Sequence, residues 1–226
     1  MALLALALFL VALFTGLGVW QVQRRAWKLD LIARVDQRVH AAPAPAPGPG
    51  AWAGLTRDNA EYRRVRIAGT LLNDRETLVQ AVTEQGGGYW VMTPLRTRWG
   101  SVFVNRGFVP PERRSPASRA AGELPGLVAV TGLLRFSEPG GGFLRSNRPD
   151  ADRWYSRDVA AIARARGVAG AAPYFIDADA TPVPGGWPQG GLTVVSFRNA
   201  HLQYALTWFG LALLSLAGAW IVWRRG

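Results

Sequence analysis

The residues with chemistry in reach lie near one end of the sequence, in Arg198-Asn199-Ala200-His201-Leu202-Gln203-Tyr204-Ala205-Leu206-Thr207-Trp208. His201 is one of two histidines in 226 residues, and it stands just before an uncharged run from Leu202 to Trp223. On a helix, His201, Tyr204, Ala205 and Trp208 share a face, because they lie at i, i+3, i+4 and i+7. A neutral imidazole placed there could serve as an axial ligand, with His201 on the iron of a haem. Small Ala205 would leave room for a macrocycle, Trp208 could pack against it, and Arg198 could face a propionate. A plainer reading stands beside this one. His201 could be an interfacial histidine that hydrogen-bonds headgroups, with Tyr204 and Trp208 as belt aromatics. The residues by themselves leave both open.

Little else in the chain could do chemistry. There are no cysteines, which excludes disulfides, thiolate zinc sites and c-type haem attachment. No G-x-S-x-G, H-E-x-x-H or P-loop pattern occurs. Gly86-Gly87-Gly88 reads as a turn, because no Lys-Ser/Thr ending follows it. Glu61, Asp74, Glu76, Asp150 and Asp152 have no spacing that singles out a pair, so they read as solvated groups or salt-bridge partners. His40 reads as an exposed residue at a helix end. Arg106, in Asn105-Arg106-Gly107, reads as a structural arginine at a strand end, with contact to a propionate or a partner as the alternative. An enzyme is therefore not expected.

The formal net charge is +11, and Arg supplies 25 of the 26 basic residues. Those residues are scattered, and no nucleic-acid-binding pattern accompanies them, so no nucleic-acid partner is expected. Anionic headgroups of a lipid membrane suit the excess charge better.

Two apolar runs must position the histidine. The 22 residues from Leu202 to Trp223, at about 1.5 Å per residue, cover a hydrocarbon core of roughly 30 Å. Residues 1–23 carry no charged side chain. They lack the basic start and small-x-small site of a signal peptide, so an uncleaved span is expected. Residues 24–51 read as a juxtamembrane helix followed by a linker. In Pro43 to Gly50 every second residue lacks an amide proton or a Cβ, which argues against both helix and sheet.

Residues 52–199 read as a β-rich domain. Strands are expected at 62–72, 76–82 and 126–136, with a hairpin of 89–96 and 101–109 about Trp99-Gly100. Short closing strands are expected at 174–176 and 192–197, and one helix at 157–166. The expected fold class is a membrane protein with two transmembrane helices, 1–23 and 200–223, flanking a compact β-rich (α+β) extramembrane domain. Two spans put both termini on one side. Arg224 and Arg225, in the 224–226 tail, argue that this side is cytoplasmic.

These residues also resemble a known family. Leu17-Gly18-Val19-Trp20-Gln21 with Arg24 and Trp27-Lys28 is similar to a signature at the end of that family's first span. Tyr62-Arg63-Arg64-Val65 with Gly69, Thr93-Pro94-Leu95, and Val104 to Pro110 resemble its domain signatures. His201 to Phe209 resembles its second-span signature, with Asn199-Ala200 where the family often has paired asparagines. The family is SURF1, a group of cytochrome c oxidase assembly proteins. The resemblance implies a domain in the periplasm of a bacterium, anchored in the inner membrane. It implies a role in maturing subunit I of a haem–copper cytochrome c oxidase, with haem a as a transient cofactor and His201 as its candidate ligand. Haem a synthase is a candidate donor partner. A scaffold that never touches haem, and more remotely a membrane-anchored enzyme, are the rival expectations.

Overall fold

The structure is a computed structural model that describes every residue except Phe143, Ser196, Arg198 and Gly226. The chain forms two compact units. One joins Met1–Asp36 to Val195–Gly226, and the other is Gln37–Val194.

The first unit holds most of helix α1 (Ala2–His40) and, at the other end of the sequence, helix α5 (His201–Arg225). Both are long and apolar enough to cross a membrane. The runs of Ala, Leu, Val and Phe favour helix, and no proline interrupts either one. Small residues recur where α5 is covered: Ala205, Ala212 and Ala219 are buried at a spacing of seven. On α1 the covered positions are Gly18, Gln21 and Val35. A Cβ on Gly18 would lie 2.5 Å from Cε1 of Phe209, so a bare glycine there leaves the room that the Phe209 ring occupies. Phe14 stacks on Trp208 with ring centroids 5.7 Å apart. Most of the large apolar side chains on the outer faces, among them Leu6, Phe9, Leu206, Leu213 and Leu216, are exposed. Aromatic–cation pairs mark the ends of the apolar runs: Arg24 lies over Trp27 and Arg224 over Trp220.

The second unit is built on a seven-stranded sheet. Its strands are β1 (Ala44–Pro45), β2 (Arg64–Leu71), β3 (Thr77–Thr83), β4 (Gly86–Thr97), β5 (Gly100–Val109), β6 (Leu127–Phe136) and β7 (Ala171–Ala178). Five of them, in the order β2-β6-β7-β5-β4, close into a barrel. Closure rests on two residue pairs, Thr70 with Arg96 and Leu71 with Leu95. Neighbouring β2 and β6 pair over seven. At the closure Gly69 must be bare, since a Cβ there would sit 2.4 Å from the Arg96 carbonyl oxygen. All pairings in the barrel are antiparallel except β5 with β7.

Alternation places the core. Along β2, Val65, Ile67 and Leu71 turn inward while Arg66 faces out. Inside the barrel they meet Leu95, Val102, Val104, Leu134, Tyr174 and Ile176. Strand β5 is buried along almost its whole length. Its other face, through Phe103, packs with Phe175, Met92 and Val79 beneath helix α4 (Val159–Ala165). Asp158 caps α4 by accepting from the Ala161 amide. Gly167, with φ +62, follows its end.

Three expectations need correcting. The proline-rich stretch is not free of regular structure. Ala44–Pro45 forms β1, parallel to Val65 and Arg66, and Ala46 donates to the Arg66 carbonyl at 3.0 Å. The alanines between the prolines keep their amide protons, and an edge position asks no more than that. A short turn of helix, α2 (Pro49–Trp52), follows, and the Pro47 carbonyl accepts from both Trp52 Nε1 and the Tyr174 hydroxyl. A second short turn, α3 (Arg57–Ala60), is capped by Thr56 and Asn59. Gly86 to Gly88 are not a turn either. They begin β4, pairing with Ala81 to Thr83, and the turn is Glu84-Gln85. A Cβ on Gly88 would lie 2.4 Å from the Val109 carbonyl oxygen. The stretch 192–197 forms no strand among its described residues; Ser196 lies outside them.

Phe103→Ala should destabilise the fold by about 3–5 kcal/mol, because it opens a cavity between β5 and α4. Leu127→Ala, at a position 80% exposed, should stay within about 0.5 kcal/mol. Denaturant titration of the detergent-solubilised protein, followed by tryptophan fluorescence, checks both.

Candidate functional site

His201 is the first residue of α5. Its Nδ1 lies 2.7 Å from Oε1 of Gln21 on α1. The partner is a carbonyl oxygen, so Nδ1 carries the proton and Nε2 keeps its lone pair. That is the tautomer a metal-binding imidazole needs. Among the described residues, Nε2 has no hydrogen-bond partner. Gln21 is only 8% exposed and closes an apolar run, so its amide has an obvious use here. Sequence reasoning missed it; the available signal was an amide at the end of an otherwise apolar span.

The other predicted residues scatter around His201. Tyr204 is 55% exposed on the outer surface of α5. Trp208 is stacked on Phe14, and Ala205 is 2% exposed. Ala205 is thus used up in packing and does not leave the opening that its size suggested. Arg198 lies outside the described residues. Phe197 stands with Lys28 Nζ 5.0 Å from its ring centroid. Asn199 Oδ1 is buried and has no hydrogen-bond partner among the described residues. An acceptor lacking a donor two residues from a metal-competent imidazole is a place where a ligand group or water would be stabilised. His201, backed by Gln21, therefore has the donor chemistry of a metal ligand at the start of α5. The packed helix face at Ala205 and Trp208 does not offer a slot for a haem ring.

A second cluster lies wholly within the barrel unit. Asp177 is 3% exposed on β7. It accepts from Asn105 Nδ2 at 2.8 Å, from Arg135 at 3.1 Å, from Arg157 at 3.0 Å and from Thr193 Oγ1 at 3.0 Å. Arg157 also forks onto Glu138 at 2.6 and 3.0 Å, and its guanidinium lies over Phe175 and Trp90. Arg135 reaches Glu61 at 3.5 Å, and Arg57 pairs with Glu61. Asp177, Asn105, Arg135 and Arg157 line a pocket of about 470 Å³ together with Trp90 and residues 191–194. Every guanidinium here already has carboxylate partners, so the cluster reads as a fastening and not as an anion site. No sequence pattern announced it, because its members are single polar or charged residues on segments far apart in the sequence.

Arg106 settles as a structural residue. It is buried, and it donates to Asn73 Oδ1 at 3.3 Å and to the Gly122 carbonyl. Burial pulls its guanidinium below the ordinary arginine value; Glu76 pushes it back up and Arg119 lowers it again. Arg119 forks onto Glu76 beside it. His40 is exposed at the end of α1, and among the described residues no group of three metal-ligating side chains forms.

The profile of the SURF1 family matches residues 8–213 of this chain. The chain belongs to the SURF1 family. It is 42% identical over 216 residues to human Surfeit locus protein 1, an alignment that covers 87% of this chain and 69% of the relative. It is 39% identical over 225 residues to a SURF1-like protein of Monosiga brevicollis, covering 93% and 83%. The mouse Surfeit locus protein 1 is 39% identical over 213 residues, covering 87% and 67%. The SURF1 match takes in Gln21 and His201 alike, as well as every strand of the barrel.

The acidic side of the fastening is open to test. Burial alone would raise the Glu138 carboxyl, but the hydrogen bond and charge of Arg157, with help from Arg135, hold it below the ordinary value of 4.5. A depressed carboxylate contributes stability above its unfolded value and loses it as pH falls through the folded one. The thermal midpoint should therefore begin to fall near pH 4.5 and continue falling below it. Glu138→Gln should have a lower midpoint at neutral pH and a shallower fall in acid. Thermal scans across pH on both proteins check this.

Proposed function

We propose that this chain is an assembly factor for a haem–copper cytochrome c oxidase that binds haem a and helps deliver it to subunit I. The observation that supports the reading most is the 2.7 Å contact of His201 Nδ1 with Gln21 Oε1. It leaves a metal-ready nitrogen at the start of an apolar helix in a SURF1-family chain. The helices α1 and α5 cross a bacterial inner membrane, the barrel unit is periplasmic and both ends are cytoplasmic. The protein carries its cofactor and does no catalysis.

Bound haem a would supply an iron that can take a protein ligand. His201 would hold it through the Nε2 lone pair, which the contact with Gln21 leaves uncommitted. Gln21 holds the ring, and Asn199 Oδ1 accepts a hydrogen bond from whatever donor comes beside it. Arg198 supplies positive charge for a propionate. Tyr204, on the exposed flank, covers apolar surface, while Trp208 braces α5 through Phe14. A single protein ligand suits a carrier, which must let go of its load at subunit I. Haem a synthase is the donor in this scheme.

One observation favours a second reading, a scaffold for oxidase subunits that never binds haem. Ala205 is buried and Trp208 is stacked on Phe14, so this helix face carries no preformed slot for a macrocycle.

The deciding experiment is the absorption spectrum of the purified protein co-expressed with haem a synthesis, beside His201→Ala. The carrier reading expects a stoichiometric Soret band that is lost or strongly shifted in the variant. Equal spectra would remove His201 as the ligand. An empty wild type, together with oxidase assembly intact in His201→Ala cells, would establish the scaffold.

A further inference from the structure

The Gln21–His201 contact can be taken further than the identity of the ligand. We propose that Gln21 is the positioning residue that selects the metal-binding nitrogen of His201. By accepting the Nδ1 proton, it keeps that proton off Nε2 and strengthens Nε2 as a donor. The metal half of this statement rests on the haem reading above; the tautomer half does not.

Three features of the first unit carry the inference. The acceptor is a carbonyl oxygen 2.7 Å away, within hydrogen-bond range. Gln21 is buried one turn along α1 from Gly18, which packs on Phe209, and an unpaired primary amide would be costly there. The two residues are held in register by contacts on either side of them. Phe14 on Trp208 and Gly18 on Phe209 fix the helices toward one end, and Lys28 over Phe197 toward the other. Among the described residues, the acceptor nearer in sequence, Asn199 Oδ1, takes no hydrogen bond from the imidazole, whose Nδ1 meets Gln21 Oε1 instead. A second-sphere acceptor on the far nitrogen of a ligating histidine fixes the ring and raises its basicity.

The test uses the full chain in lipid nanodiscs, with Gln21→Leu and Gln21→Glu beside the wild type. NMR of isotope-labelled imidazole nitrogens, assigned with His201→Ala, reads the tautomer without any haem. The wild type should hold its proton on Nδ1 with Nε2 bare. Gln21→Leu should lose that preference, and Gln21→Glu should keep it. After loading with haem a, Gln21→Leu should bind it about 10–100-fold more weakly. The iron reduction potential should be lowest in Gln21→Glu, higher in the wild type and highest in Gln21→Leu, since a stronger acceptor makes a more electron-donating ligand. The iron–nitrogen stretching frequency should fall in the same sequence. A purely structural bond between helices would weaken both variants without ordering these two readouts.

A wild-type proton on Nε2, or a tautomer unchanged in Gln21→Leu, overturns the proposal. Haem bound through His201 with three coincident potentials overturns its metal half alone. An NMR result as expected in a protein that takes up no haem leaves Gln21 as the tautomer-setting residue and removes the carrier reading with the metal half.

Discussion

A carboxylate buried against a barrel wall has to be neutralised where it stands, and Asp177 sets that condition for the whole of the second unit. Its partners come from β5, β6, the entry to α4 and the segment that leaves the barrel at Thr193. An uncompensated charge at that depth would cost several kcal/mol, so each segment must arrive in one place or the charge goes unpaired. Such clusters add less net stability than hydrophobic packing would. What they add is a single permitted arrangement. The barrel interior is made of Val, Ile and Leu, which would tolerate small slips. The charged cluster outside it does not.

The first unit solves a related problem with almost no polar groups. Two helices whose outer faces are as apolar as their shared seam are not held together by hydrophobicity alone, so close fit must hold them. Glycine and alanine allow the approach, and the Phe14–Trp208 stack fills what remains. Into this seam the chain places one amide and one imidazole, joined to each other. A polar pair in such surroundings is specific because it has nowhere else to turn.

The sequence made some of this plain and hid the rest, for identifiable reasons. The two apolar helices, the β4–β5 hairpin and α4 were legible because periodicity and turn residues speak locally. His201 was legible because it is rare and stands at a boundary. Gln21 was not, since its role depends on a residue 180 positions away. The cluster around Asp177 was hidden in the same way: Asn105, Arg135, Arg157 and Thr193 meet only after the strands are paired. The proline-rich stretch misled because prolines were weighed and the alanines between them were not. Gly86 to Gly88 misled because three glycines suggest freedom, whereas Gly88 is there to let Val109 and Phe108 come close.

The closure of the barrel is uneven. Four of its five seams are zipped over several residue pairs, but β2 and β4 touch at only Thr70–Arg96 and Leu71–Leu95. The β3–β4–β5 meander is local in sequence and can assemble early, whereas β2 must find β6 across more than fifty residues. The short seam is the stitch that turns a curled sheet into a ring. By the same logic its amides should exchange with solvent ahead of the rest of the barrel. The molecule thus has a natural point at which to breathe, and any chaperone or protease that samples its partly open states would meet it there.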